Sequence, residues 1–183
     1  IKSLLSRRSN SQLTEPYPSQ EEMTTVYQAA FRAPDHSWLR PWRFIEVIGE
    51  GRNKLGEAFL NSSKKIDDID EEKEKRILGL PMRSPMIIVV ISEIVDKPNV
   101  PRIEQIQSTA AATQNILIAL HDMGYAAYWR TGKYSSENNK YIANELSLNI
   151  NSEVLGYLYI GTPSKEPKEA PKLNKEDYVT IWE

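Results

Sequence analysis

Two arginines and a serine stand side by side near the start of the chain, in the order Arg7-Arg8-Ser9. Guanidinium groups bind phosphate oxygens through paired, charge-assisted hydrogen bonds, and a neighbouring hydroxyl can add a neutral bond. The segment therefore predicts a phosphate-binding site. The alternative interpretation is a solvated pair of surface arginines, because charged side chains are mostly exposed.

A second group of cations and aromatic residues lies in residues 32–44. Arg32, His36 and Arg40 could bind an anion or the polar edge of a ring. The two tryptophans, Trp38 and Trp42, could stack on a planar ligand. For Trp42 the competing interpretation is a role in the hydrophobic core, since large aromatic side chains usually serve packing. His36 could equally be a loop histidine that hydrogen-bonds only within the chain.

A third group follows a predicted strand at residues 125–130 and has the sequence Trp129-Arg130-Thr131-Gly132. The aromatic residues and the absence of glycine and proline favour the strand. Arg130 and Thr131 would then lie at its carboxyl end. Ligand-binding crevices of α/β proteins are common at such ends.

The composition of the 183 residues excludes several kinds of chemistry. The absence of cysteine rules out disulfides, thiolate metal sites and cysteine catalysis, and it fits a reducing compartment. His36 and His121 are the only histidines, so no metal site is predicted. No dinucleotide-binding glycine turn, phosphate-loop lysine or nucleophile elbow is present. We therefore expect a bound cofactor to carry the reaction, with the protein supplying binding and electrostatics.

Charge and hydropathy bear on partners and location. The net charge is −2 and the sequence pI is about 5.8, which gives no basic field for nucleic acid or an anionic membrane. No apolar run approaches the roughly 20 residues that a membrane-spanning helix requires, and no signal-peptide core is recognised. A cytoplasmic protein with a small-molecule partner is the expectation.

The candidate residues must be positioned by alternating helices and strands. Helices are predicted at residues 2–6, from Ser19 to before Pro34, and at 53–62, 67–78, 104–123 and 135–145; strands are predicted at 44–48, 86–94, 125–130 and 154–160. Ser19 and Glu22 form a capping-box pattern, and Ser135 or Ser136 is expected to cap the last helix. The charged run within 67–78 is interpreted as a solvated helix face. The order predicts an α+β fold of α/β/α layers, with a mixed central sheet flanked by helices, in a single domain spanning residues 1–183.

Two segments expose more apolar surface than one chain easily covers. The helix at 104–123 is apolar on most faces and must be buried on several sides, so a second copy of it is a natural neighbour. Residues 163–183 begin rich in lysine and proline and end with Tyr178, Val179, Ile181 and Trp182. This extended arm is expected either to embrace a partner subunit or to dock on its own chain.

Five ordered motifs resemble those of the nitroreductase-like flavoproteins, and the chain is most similar to the minimal short-chain branch of that family. The motifs are Arg7-Arg8-Ser9, Arg32-Ala33-Pro34 with Pro41-Trp42, Gln114-Asn115, Gly124 with Trp129-Arg130-Thr131-Gly132, and Gly161-Thr162-Pro163. The resemblance implies an intertwined homodimer with FMN at the subunit interface and the arm at 163–183 reaching across the partner. Two residues depart from the family pattern: Arg40 stands where many members carry glutamine, and Leu39 replaces a frequent polar residue.

The resemblance also implies residue roles. Arg7, Arg8 and Ser9 would hold the FMN phosphate and ribityl chain, and Arg130 with Thr131 would complete that grip. Arg32 and His36 would come from the other subunit. Trp129, which precedes Arg130 in the same motif, is included in the cofactor-binding set; no residue is assigned as catalytic.

The implied activity is that of an FMN-dependent NAD(P)H oxidoreductase. NADH or NADPH would deliver hydride to flavin N5, and a nitroaromatic, quinone or similar acceptor would then occupy the same pocket. Three alternatives remain at this stage: an FMN-binding carrier or sensor without turnover, another flavin reaction such as reductive dehalogenation, and a dimeric interaction protein without a cofactor.

Overall fold

Six α-helices and five strands lie along the chain in the computed structural model, which describes residues 1–165 and 169–183; they alternate except where the fourth helix directly follows the third. The helices are α1 (Lys2–Ser6), α2 (Gln20–Ala30), α3 (Gly51–Lys64), α4 (Glu71–Leu78), α5 (Arg102–Asp122) and α6 (Ile142–Glu145). The strands are β1 (Leu13–Thr14), β2 (Trp42–Ile48), β3 (Met86–Glu93), β4 (Ala126–Arg130) and β5 (Ser152–Pro163). Within the predicted arm, residues 166–168 lie outside the described residues.

The sheet is organised around β5, its longest strand. On one side β5 pairs with β3, which in turn pairs with β2; on the other side β4 and β1 pair with successive parts of β5. These pairings are antiparallel, so the five strands form an antiparallel sheet and not the mixed sheet predicted from the sequence. Ser9 adds an isolated parallel bridge to Ala127 of β4. The bridge lays the N-terminal segment along the outer side of β4.

Two hydrophobic cores lie on opposite faces of the sheet. Met86, Ile88 and Val90 of β3 pack towards α2 and α5, whereas the alternating Ile87, Val89 and Ile91 pack towards α3, α4 and α6. Each of these six side chains is at most 2% exposed. Burial of such side chains stabilises a fold by about 1.5–3 kcal/mol each. The strand buried on both faces and the layered α/β/α fold predicted from the sequence are therefore confirmed.

Serine N-caps were predicted for α2 and for the last helix, and the structure confirms only the first. The capping box is confirmed: Glu22 N donates to Ser19 Oγ at 3.3 Å, and Ser19 N donates to Glu22 Oε2 at 2.7 Å. The hydrogen bond from the Ser19 backbone is the main reason that the pKa of Glu22 is lowered. The serine cap of the last helix is wrong, because α6 has Tyr141 at its N-cap with no side-chain cap. Ser136 instead accepts from Val154 N at 2.7 Å and so ties this loop to β5.

Some apolar surface stays uncovered in one chain. The buried residues of α5 occupy its sheet-facing side, while Ala111, Asn115 and Ile118 are only partly buried. In the arm, Tyr178 and Trp182 are 71% and 99% exposed. Docking of these arm side chains on their own chain is therefore not seen within the described residues. None of the described helices combines the length and apolarity needed to cross a bilayer.

Candidate functional site

Helix α1 is attached to the C-terminal end of α5. Ser6 Oγ lies 2.8 Å from His121 Nε2, and Ser3 Oγ donates a hydrogen bond to Asp122 Oδ1. Two polar contacts thus fix a helix of only five residues, which would be marginal in isolation. These contacts therefore fix the position of Arg7, which directly follows α1.

The arginine segment, defined as Arg7-Arg8-Ser9, then runs beside β4. Ser9 forms the parallel bridge to Ala127, and Asn10 N donates to Ala127 O at 3.2 Å. Strand β4 ends three residues later at Arg130. The fold therefore brings the first and third groups of sequence-predicted residues to neighbouring chain segments.

The two arginines of this segment are partly exposed. Arg8 donates to the carbonyl oxygen of Glu169 in the arm, which uses one of its five guanidinium N–H groups. Neither Arg7 nor Arg8 forms an ion pair with a carboxylate within residues 1–165 and 169–183. Their charges are therefore available to an anion, as a phosphate site requires.

Trp129 is fixed by a close contact with β5. Gly156 has φ +147°, and a Cβ there would lie 2.5 Å from Trp129 Nε1 and 2.7 Å from Arg130 O. A residue larger than glycine would have to displace both atoms. Trp129 Nε1 is buried and has no hydrogen-bond partner among the described residues. The indole consequently holds the end of β4 by packing.

Arg130 and Thr131 lie at the carboxyl end of β4, as predicted. Arg130 lies close enough to Tyr159 for its charge to lower the pKa of that tyrosine. Burial, which is the main cause, and Tyr128, whose ring is stacked on Tyr159 at 4.9 Å between centroids, act in the opposite direction and raise the pKa to about 12. Thr131 is exposed and lines a cavity of about 560 Å³ together with Asp67. A polar cavity therefore opens where β4 ends.

Arg32 and His36 follow α2 and are separated from each other. Arg32 is exposed and lines a groove of about 500 Å³ with Ser3 of α1. His36 Nδ1 lies 2.6 Å from Glu104 Oε2 in the first turn of α5. A carboxylate only accepts hydrogen bonds, so Nδ1 donates to Glu104, and Nε2 is the ring nitrogen that this contact leaves available.

The predicted site is divided between the two ends of α5. His36 contacts Glu104 near the start of this helix, and Ser6 contacts His121 near its end. At about 1.5 Å of rise per residue, the 17 residues from Glu104 to His121 span roughly 26 Å. One chain does not bring His36 to the arginine segment.

Sequence reasoning missed two residues that shape this site. Glu104 is 68 residues from its partner His36, and an acidic residue in the first turn of a helix carries no signal for such a contact. Gly156 lies inside a strand pattern, and an isolated glycine there is a known sign of a bulge or a close backbone approach. The pairing of β3 with β5 does shift register beside it. The isolated glycine at position 156 is therefore a sequence signal from which this close contact could have been predicted.

The comparisons with known proteins agree on one family. The model of the Nitroreductase family matches residues 4–162. YdjA of Escherichia coli (strain K12), named as a candidate NAD(P)H nitroreductase, is 30% identical over 98% of this chain and 97% of its own length. A Haemophilus influenzae protein with the same kind of name is 33% identical over 97% of this chain and 96% of its own. The crystal structure of a nitroreductase-like family protein from Bacillus cereus has a TM-score of 0.84 and 28% identity, covering 100% of this chain and 95% of that one. The chain belongs to the nitroreductase family of oxidoreductases.

Proposed function

We propose that this oxidoreductase binds FMN and transfers reducing equivalents from NADH or NADPH to nitroaromatic, quinone or similar acceptors. FMN, when bound, supplies the redox chemistry, since its ring can accept a hydride from the nicotinamide and pass electrons to a second substrate. The observation that carries the proposal is the position of the arginine segment beside β4, whose carboxyl end bears Arg130 and Thr131.

The donor set fits the phosphate of FMN. A phosphate monoester carries up to two negative charges, and Arg7 and Arg8 lack carboxylate partners in the described part of the chain. Ser9 is exposed and offers a hydroxyl between these arginines and β4. Arg130 and Thr131 would complete the grip, with Trp129 holding the end of β4 in place.

A homodimer would unite the two parts of the site. The roughly 26 Å between the ends of α5 keeps His36 away from the arginine segment within one chain. A two-fold axis across α5 would place the end of one helix beside the start of its partner. In this arrangement His36 would be supplied by the other subunit. For Arg32, which lies near the C-terminal half of its own α5, we propose the other subunit on the family resemblance and not on this distance. A cation near the pyrimidine edge would favour the reduced ring. The partly buried outer side of α5 supports this interface.

The arm at 163–183 is proposed to reach across the partner. Its Tyr178, Ile181 and Trp182 are exposed in one chain, which leaves a large apolar surface to cover. Strand β2 forms the outer edge of the sheet among the described strands. An unpaired strand edge is a suitable receptor for an extended segment. The absence of cysteine supports action in a reducing compartment, which we propose to be the cytoplasm.

The first experiment is the visible absorption spectrum of the purified protein before and after addition of FMN and gel filtration. A retained flavin spectrum at about one FMN per chain, on a species that elutes as a dimer, is the expected result. Colourless protein after FMN addition would refute cofactor binding.

Turnover needs a separate test. Under anaerobic conditions NADH or NADPH should bleach the flavin spectrum, and a quinone or nitroaromatic acceptor should restore it. A stably yellow protein that neither nicotinamide bleaches would be a carrier or sensor, and the proposed activity would be wrong.

A further inference from the structure

The turn after α2 has an unusual backbone. Ser37, Trp38 and Arg40 have φ values of 61°, 57° and 49°, the left-handed region that residues with a Cβ rarely adopt. We call residues 35–40 the His36 turn. Strained backbone of this kind persists only where surrounding contacts enforce it, and it is concentrated at functional sites.

Side-chain contacts hold the His36 turn at both ends. Asp35 Oδ1 accepts a hydrogen bond from Leu39 N at 2.8 Å, and His36 is bound to Glu104. Arg43 donates to the carbonyl oxygen of Arg40 at 3.1 Å. The conformation is therefore enforced by its surroundings.

The turn presents an exposed indole with a cation on one face. Trp38 is 80% exposed, and the guanidinium carbon of Arg40 lies 5.6 Å from its ring centroid. Trp42, four residues later, is only 6% exposed and belongs to the core. Packing in the hydrophobic core thus accounts for a tryptophan at position 42 but not for one at position 38.

Arg40 is also a cation of this region whose charge no carboxylate neutralises among the described residues. Arg43 Nε lies 3.0 Å from Glu93 Oε2, so that cation is neutralised by a carboxylate. Arg40 has no such ion pair within the described ranges. An anionic group that stacks on Trp38 would meet Arg40 at its edge.

We infer that Trp38 and Arg40 select the electron acceptor: they bind planar aromatic acceptors that carry a carboxylate or sulfonate group. The inference rests on the proposed function, because the His36 turn reaches a cofactor site only if His36 contributes to the partner's FMN. The free indole face stacks on the acceptor ring. Arg40 forms a charge-assisted hydrogen bond to the anionic substituent, and its contact with the indole keeps the guanidinium in place.

The test compares two acceptors of the same shape, 4-nitrobenzoate and 4-nitrobenzamide, which differ in charge. Dissociation constants are measured on the oxidised FMN-loaded dimer, without nicotinamide, from the change in the flavin absorption spectrum. The variants are Arg40→Gln and Trp38→Ala. The control is Arg76→Gln, which removes an exposed arginine from α4 on the other face of the sheet. KM values for both acceptors provide a second readout.

For Arg40→Gln we expect a weakening of 4-nitrobenzoate binding by about tenfold, which corresponds to about 1.4 kcal/mol, and a change below about twofold for the amide. For Trp38→Ala we expect both ligands to bind about fivefold more weakly, because stacking does not depend on the charge. The control should leave both constants unchanged. An unaltered ratio of the two constants in Arg40→Gln overturns the inference.

Two further outcomes separate this inference from the proposed function. If Trp38→Ala leaves both constants unchanged in an intact dimer, or converts the dimer to a monomer in gel filtration so that no FMN-loaded dimer is obtained, the inference is wrong while the proposed function stands. If the wild-type protein binds no FMN, both fail together.

Discussion

The two ends of α5 are built in different ways. At its C-terminal end, the arginine segment is positioned by regular structure: α1 contacts His121 and Asp122, and Ser9 bridges to β4. At its N-terminal end, the His36 turn is irregular and is held by side chains such as Glu104. The first arrangement suits a ligand group that never changes, such as a phosphate. The second suits recognition that differs between related proteins, because a turn can change sequence without disturbing the sheet.

The largest effect is expected at the C-terminal end of α5, which we call the regular end and where the arginine segment lies. The double variant Arg7→Ala/Arg8→Ala should weaken FMN binding by about a thousandfold, because a hydrogen bond between charged groups contributes about 1.5–3 kcal/mol. Titration of FMN fluorescence measures the dissociation constant. The matched control, Lys54→Ala/Arg76→Ala, removes two exposed cations from α3 and α4. Equal affinity in both double variants would mean that the arginine segment is only a solvated surface.

Gly156→Ala should test how rigidly the regular end is packed. The added Cβ would collide with Trp129 Nε1, so we expect a loss of about 2–3 kcal/mol in the free energy of unfolding, measured by urea denaturation. Gly49→Ala is the control, since Gly49 also has a positive φ, +51°, but no atom lies within 4 Å of an added Cβ. If both variants lose the same stability, the close contact with Trp129 is unimportant.

Mixing two defective chains should show whether the two ends of α5 meet across the dimer. We expect Arg7→Ala/Arg8→Ala and Arg32→Ala/His36→Ala chains to be nearly inactive alone, and to regain about a quarter of the sites when refolded together. About half of the dimers are mixed, and each mixed dimer has one intact site.

A control mixture combines Arg7→Ala/Arg8→Ala chains with Arg130→Ala chains. Both defects then affect the same end of α5, so neither site of the mixed dimer is intact and no recovery is expected. No recovery in the first mixture although mixed dimers form would show that each chain holds a complete site. Recovery in the control would show that Arg130 and the arginine segment belong to different sites, which contradicts their assignment to one end of α5.

The smallest effect is expected from Glu104→Gln. An exposed polar contact of this kind contributes up to about 1 kcal/mol, so FMN binding should weaken by up to about fivefold as His36 loses its fixed orientation. Glu153→Gln is the comparison, because it breaks the exposed pair with Arg102 at the same end of α5 without touching His36. Equal FMN affinities in the two variants would exclude a role for Glu104 in positioning His36.

Features set by neighbouring residues were more predictable from the sequence than contacts between distant segments. The capping box at Ser19 and the apolar run of β3 depend on neighbours within a few residues, so local patterns were sufficient. The contact of His36 with Glu104 and the use of Ser136 by β5 depend on tertiary packing. The strained backbone of Ser37 and Trp38 had no local signal either, because neither residue type favours a positive φ. The roles of the eight predicted cofactor-binding residues stay predictions.

The placement of the four tryptophans gives the protein its own optical reporters. Trp42 is buried in the core and Trp129 is partly covered, whereas Trp38 and Trp182 are 80% and 99% exposed. In an isolated chain a water-soluble quencher would reach both exposed indoles. In the proposed dimer the arm would shield Trp182, while bound flavin would absorb energy from Trp38. Assembly and cofactor loading could then be followed separately by fluorescence, without any added label.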